Sequence, residues 1–243
     1  MWHHDTDHAR AAGDDGSGVV RVSLRKPELV VLDLDGTLVD SAPDLAYSID
    51  TMLIQLGLSP QGEDRVRTWI GSGAERLVKR ALTGDLYGEP EEALFQTAVA
   101  LFSDIYGQNT CRRSRLYPGV REGLDYLLAT NRKLGCVTNK RERFTQPLLK
   151  SLGIFENFAV VVAGDSLAAK KPDPLPLLHV ASATGVVAER SLMVGDSVND
   201  VTAARAAGFS VVCVRYGYNN GEDIADTRPD AIVDSLAELV ALI

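Results

Sequence analysis

An apolar run, Leu29-Val30-Val31-Leu32, ends in two carboxylates within Asp33-Leu34-Asp35-Gly36-Thr37-Leu38. A continuous run of this kind predicts a strand buried on both faces, the environment of a parallel sheet. In such sheets chemistry lies just past the strand C-termini. Two carboxylates one residue apart repel unless a cation or a shared proton intervenes. The arrangement suits a metal-assisted reaction on an anionic substrate, with one Asp as nucleophile and the other as acid/base. Asp-x-Asp-Gly also occurs in calcium loops and in plain turns. A calcium EF-hand carries its Gly at the sixth loop position between two helices. Here Gly36 falls earlier and a strand leads in. On this segment alone a strand-to-loop turn stays open as the alternative.

The rest of the chain places that strand in a fold. Asp40-Ser41-Ala42-Pro43-Asp44 is a helix-start signal, and Leu45, Ile49, Met52, Leu53 and Leu56 follow at helical spacing up to Gly57. Further helical patterns cover 64–70, 74–83 and 90–106, so residues 41–116 read as helical with no strand pattern. From Tyr117-Pro118-Gly119-Val120 onward helices and strands alternate. Helix 119–131 precedes strand 133–137, helix 142–152 precedes strand 159–163, and helix 174–185 precedes strand 191–194. Helix 199–207 precedes strand 210–214, and a strand near Ala231-Ile232-Val233 and a helix from Ser235 close the chain. This predicts an α/β fold, a doubly wound parallel sheet with a Rossmann-like core and an inserted all-helical cap. The expected division is a mostly disordered leader at 1–26, a core of 28–40 plus 117–243, and a cap at 41–116.

A chain of 243 residues accommodates this, and 45% hydrophobic with 24% charged residues is ordinary for a globular protein. The formal net charge of −8 argues against nonspecific nucleic-acid binding, which needs basic surface. It leaves small anionic substrates open, since a local metal and a Lys can dominate a site. No apolar run approaches membrane-spanning length, and the leader lacks a signal-peptide core. Cys111, Cys136 and Cys213 fit no zinc spacing. The expected compartment is therefore a reducing, cytoplasmic one. Oligomeric state is left open.

Four polar clusters follow apolar strands: Asp33/Asp35, Thr138/Asn139, Lys170/Lys171 and Asp196/Asp200. In an open parallel sheet those strand ends converge on one crevice. Thr138 and Asn139 offer donors for phosphate oxygens, though the same pair can equally be a helix cap. Lys171 aimed inward would neutralise a transferring phosphoryl group; alone it is as well a solvated lysine. Asp196 can ligate a hard cation. Asp200, one turn on, can hold a metal-bound water or simply serve as a helix-start Asp. His179 sits in a helical pattern and reads as packed or surface. There is no phosphate-loop or dinucleotide glycine fingerprint, so the aspartates are the reactive groups.

Asp33-Leu34-Asp35-Gly36-Thr37, Thr138, Lys171, and Gly195-Asp196 through Asp200 together resemble the four motifs of the haloacid dehalogenase superfamily of phosphatases. Trp69-Ile70-Gly71-Ser72-Gly73-Ala74, Thr138-Asn139-Lys140, Lys170-Lys171-Pro172 and Tyr216-Gly217-Tyr218-Asn219 are similar to the branch that hydrolyses 2-phosphoglycolate. Arg141 departs from that pattern, where Pro is expected. The resemblance implies Asp33 as nucleophile, Asp35 as acid/base, and Lys171, Thr138 and Asn139 on the phosphoryl oxygens. It also implies Mg²⁺ on Asp33, the Asp35 carbonyl and Asp196, with Asp200 orienting that shell, and Gly36 leaving room for the phosphate.

For the leaving group, Ser72, Gly73 and Arg76 are the expected contacts, with Lys79 and Arg80 as further candidate cations. Helical spacing puts Arg76 and Arg80 on one face but does not say what that face meets. Rival readings are a mutase, a dehalogenase, a pyrophosphatase or nucleotidase, and a silent binding protein on the same fold. Asp35 and Asp196 speak against the dehalogenase, and the intact set of Asp33, Asp35, Lys171 and Asp196 against the silent protein.

Overall fold

The structure, a computed structural model, describes residue 24 and residues 26–243. The expected leader, including Val19-Val20-Arg21-Val22, lies almost wholly outside the described residues. Strand β1 (Leu29–Leu32) leads into a short strand β2 (Val39–Asp40) and then four helices, α1 (Ala42–Gln55), α2 (Glu63–Arg67), α3 (Ala74–Thr83) and α4 (Glu92–Asn109). The chain returns through β3 (Arg115–Leu116). It then alternates: α5 (Val120–Ala129), β4 (Lys133–Val137), α6 (Glu142–Ser151), β5 (Val160–Val162), α7 (Leu175–Thr184), β6 (Ser191–Gly195), α8 (Val198–Ala207) and β7 (Ser210–Val214). β8 (Ala231–Val233) and α9 (Leu239–Leu242) end it.

Six strands form one parallel sheet in the order β5-β4-β1-β6-β7-β8. Its alternation explains the continuous apolar runs. Val30, Leu32, Leu192, Val194, Val212 and Val214 pack on one face with Leu124, Leu127 and Leu148 of the flanking helices. Leu29, Val31, Met193, Val211 and Cys213 pack on the other with Leu177, Val180 and Ala204. Each strand therefore has no polar side to alternate with. Cys136 and Cys213 are free thiols in these layers. His179 is exposed on α7.

The helical segment packs its own core, including Leu45, Ile49, Met52, Val66, Trp69, Leu77, Phe95, Phe102 and Tyr106. Two residues from the sheet side, Phe144 and Tyr218, join it. The expectation of no strand between 41 and 116 is corrected by β3, which pairs antiparallel with β2. Two-residue strands carry too short a pattern to read, and this pairing follows from bringing the two ends of the helical segment together. Helix 64–70 is also shorter than expected: α2 stops at Arg67.

Asp44 does more than begin a helix. It is fully buried, and its carboxylate accepts from the backbone N–H of Arg113 at 2.9 Å and of Ser114 at 2.8 Å, and from the Ser114 hydroxyl at 2.7 Å. Ser41, by contrast, does not cap α1. One carboxylate thus ties both ends of the helical segment together. Asp44→Ala strands those donors and is expected to cost about 2–4 kcal/mol, read as a lower midpoint in urea unfolding.

Candidate active site

β1 is central, with β4 on one side and β6 on the other, so the connections on its two sides part at its C-terminal end. The crevice opens there, and Asp33 is the next residue. The Asp33 N–H continues the ladder by donating to Val194 O at 3.0 Å, which fixes where its side chain starts. Lys171, on the loop after β5, reaches the same point. Its Nζ lies 2.7 Å from Asp33 Oδ1, 2.7 Å from Asp200 Oδ1 and 2.7 Å from Val137 O. Burial works against this ammonium, but Asp200 and Asp33 outweigh it and raise the Lys171 pKa. The Lys171–Pro172 peptide is cis.

Asp200 is fully buried and fully engaged. Its Oδ2 accepts from the N–H groups of Asp196 and Ser197 and from the Ser197 hydroxyl, closing a capping box at the start of α8. Both readings of this residue therefore meet in one side chain: it caps a helix and it holds Lys171.

Thr138 accepts the Lys140 N–H on its hydroxyl oxygen at 3.1 Å, leaving the hydroxyl proton to donate. Asn139 is committed differently. Its side-chain nitrogen donates to Gly71 O and to Lys171 O, both at 3.0 Å. The amide thus joins the helical segment to the core instead of presenting N–H groups to a phosphate, and its buried Oδ1 has no partner among the described residues. Asp35, near the mouth, pairs with Lys140, whose Nζ lies 2.9 Å and 3.0 Å from the two carboxylate oxygens.

Asp196 leaves β6 opposite Asp33. Its Oδ1 accepts from Thr37 Oγ1 at 2.9 Å and its Oδ2 from the Tyr218 N–H at 2.5 Å. Gly36 has φ +91°, and a Cβ there would stand 2.2 Å from Asp196 Oδ2. Its lack of a side chain makes room for Asp196 rather than for a phosphate. Burial is the main force raising the pKa of Asp196, with Asp33 and Asp200 adding to it. Burial also lifts Asp33; Lys171 opposes this, Asp200 reinforces it, and the result is pushed up to about 7.

The carboxylate oxygens of Asp33, Asp196 and Asp200 lie within 4.8 Å of one another. With Asp35 they face two ammonium groups, Lys140 and Lys171, so negative charge is in excess inside a water-poor site. A hard divalent cation supplies the missing positive charge, and oxygen donors are its preferred ligands. The residues present fit such an ion.

Between sheet and helices lies a cavity of about 40 Å³ walled by Asp33, Asp35, Thr138, Lys140 and Lys171 from below and by Leu45, Leu77, Phe102 and Tyr106 from above. Gly73 also lines it, at the start of α3. Ser72 offers a carbonyl, which accepts from Lys170 Nζ at 3.0 Å. Arg76 does not line the cavity and is corrected as a leaving-group contact. It pairs with Glu89 at 3.0 Å, a partner it shares with Lys79. Arg80 is buried against Trp69 O and Leu86 O. The α3 face turned to the cavity carries Ala74 and Leu77 instead. Residues that sequence reasoning missed are Lys140, which stands beside Thr138 and Asn139, and Tyr106, which reads as one more apolar helix position.

The pattern described as haloacid dehalogenase-like hydrolase matches residues 30–214. A phosphoglycolate phosphatase of Nitrosococcus oceani is 54% identical over 220 residues, covering 90% of this chain and 98% of that one. One of Thiobacillus denitrificans is 46% identical over 214 residues, covering 88% and 94%. A crystal structure described as a predicted phosphoglycolate phosphatase from Haemophilus somnus superposes with a TM-score of 0.83 at 41% identity, covering 88% of this chain and 96% of that one. The chain belongs to the haloacid dehalogenase-like hydrolase family.

Proposed function

We propose that the protein is a Mg²⁺-dependent phosphomonoesterase that hydrolyses 2-phosphoglycolate to glycolate and phosphate. The observation that carries the chemistry is Asp33 at the end of the central strand, 2.7 Å from a buried ammonium and two residues before a second carboxylate. The substrate is supported by the names of relatives that span nearly the same length.

An Asp33 oxygen forms a bond to phosphorus as the bond to the ester oxygen breaks. Asp35 gives its proton to that oxygen, and glycolate leaves. Asp35 then takes a proton from water as the water oxygen attacks phosphorus, releasing phosphate and restoring Asp33. Lys171 and the Thr138 hydroxyl hold the phosphoryl oxygens. Asp33, Asp196 and the Asp35 carbonyl would hold Mg²⁺, while Asp200 keeps Lys171 and the start of α8 in place. When bound, Mg²⁺ supplies positive charge to the carboxylates and to the phosphoryl oxygens.

We read residues 28–40 and 117–243 as the catalytic core and 41–116 as a cap that excludes bulk water. Contacts between the two support this: Asn139 and Asn199 both donate to Gly71 O, and Arg141 pairs with Glu75. The ligand is a small phosphate, with neither nucleic acid nor membrane as partner. No described helix is long and apolar enough to cross a membrane. Free thiols support a cytoplasmic compartment.

Phosphate release from 2-phosphoglycolate should exceed that from sugar phosphates, nucleotides and pyrophosphate in kcat/KM. Asp33→Asn should lower kcat by about 10³-fold or more. A different leading substrate in the panel sinks the substrate assignment; full activity in Asp33→Asn sinks the mechanism.

The raised pKa values of Asp33 and Asp196 also set a pH dependence without metal. The folded protein holds protons that the unfolded chain has lost above its ordinary carboxylate range, so its stability falls as pH rises toward 7. Mg²⁺ competes with those protons. In EDTA, Tm should fall between pH about 5.5 and about 7.5, and the Mg²⁺ increment should be larger at the upper value. An equal increment at both overturns the metal assignment.

A further inference from the structure

Lys140 is the second buried ammonium of the site, and the mechanism above gives it no task. It lines the cavity, its Nζ bridges both Asp35 oxygens, and it sits 4.8 Å from the centroid of the Tyr106 ring. Tyr106 is held by Phe102, stacked at 5.5 Å, and by Phe144, edge-on at 4.9 Å. The Tyr106 hydroxyl is buried and has no hydrogen-bond partner among the described residues. A buried ammonium and an unpartnered hydroxyl therefore meet in one small cavity whose remaining upper wall is apolar.

We propose that Lys140, with the Tyr106 hydroxyl, binds the carboxylate of the leaving group and thereby selects phosphate esters of small hydroxy acids. This rests on the phosphatase reading above and names the residues that read the acid. With the phosphoryl group on Asp33, Lys171 and Thr138, the ester oxygen must meet Asp35, its proton donor. In an O–CH₂–COO⁻ group the nearer carboxylate oxygen is only about 3 Å from that ester oxygen, as ordinary bond lengths dictate. Lys140 Nζ already stands within 3.0 Å of both Asp35 oxygens, so the same ammonium reaches the carboxylate. It has three donors, and Asp35 takes at most two.

The other cations near the cavity are engaged elsewhere. Lys171 faces Asp33, Arg141 pairs with Glu75, and Lys170 donates to Ser72 O. Leu45, Leu77, Phe102 and Phe144 offer no partner to sugar hydroxyls, and their low polarity strengthens an ion pair formed against them.

The test compares kcat/KM for 2-phosphoglycolate and for ethyl phosphate, which lacks the carboxylate, in the Mg²⁺-loaded enzyme. The wild type should favour 2-phosphoglycolate. Lys140→Met should reduce that preference by about 10²–10³-fold, because a buried carboxylate is left without its cation. Tyr106→Phe, nearly isosteric and so a safeguard if Lys140→Met does not fold, should reduce it by about tenfold. Lys140→Arg should recover part of the preference. A wild type with no preference overturns the substrate reading and this proposal with it. A preference kept in Lys140→Met, or lost activity shared equally by both substrates, overturns the role of Lys140 alone. If Lys140→Met does not fold, an unchanged preference in Tyr106→Phe overturns the proposal.

Discussion

The site is organised around one buried ammonium. Lys171 Nζ meets Asp33 Oδ1, Asp200 Oδ1 and Val137 O, each at 2.7 Å. Those atoms come from the end of β1, the first turn of α8 and the end of β4. Removing an ammonium and two carboxylates from water costs several kcal/mol per ion, and their attraction offsets that cost only when the geometry is good. The cluster is thus a poor source of net stability. It is instead specific in position, since losing any one group leaves an uncompensated charge in the interior. Asp200 extends the same constraint, because its second oxygen closes the capping box of α8 and accepts the N–H of Asp196. Nucleophile, cation and candidate metal ligand are thereby tied to one another before any substrate arrives.

The sheet and the chemistry were legible because both depend on local pattern and simple topology. Leu29-Val30-Val31-Leu32 reads as a doubly buried strand whatever its neighbours are, and parallel strands bring their C-terminal ends together. Asp33, Thr138, Lys171 and Asp196 needed no tertiary information beyond that. What was not legible depends on which partner a side chain finds. Arg76 and Arg80 share a helix face, yet periodicity does not say that one would meet Glu89 and the other the carbonyls of Trp69 and Leu86. Asn139 looked like a phosphate donor from its place beside Thr138, but Gly71 O, 68 residues away in the chain, takes its amide. Asp44 read as a helix start, while its main partners lie near residue 113, a separation no local pattern reports.

The two layers around the cavity divide their work by polarity. Asp33, Asp35, Thr138, Lys140 and Lys171 belong to the sheet side, whereas α1, α3 and α4 contribute Leu45, Leu77, Phe102 and Tyr106. The helical segment therefore need not deliver charge to the reacting atoms. Its closure surrounds charges already in place with apolar side chains, which strengthens every electrostatic contact beneath it and keeps bulk water out. The junction is built from the same loop that meets the substrate: Asn139, between Thr138 and Lys140, holds Gly71 O. A leaving group too large for the space under Phe102 and Tyr106 would push the helices up and strain that link. Size selection and charge recognition thus act through adjacent residues of one loop, and a small anionic leaving group is the kind that satisfies both.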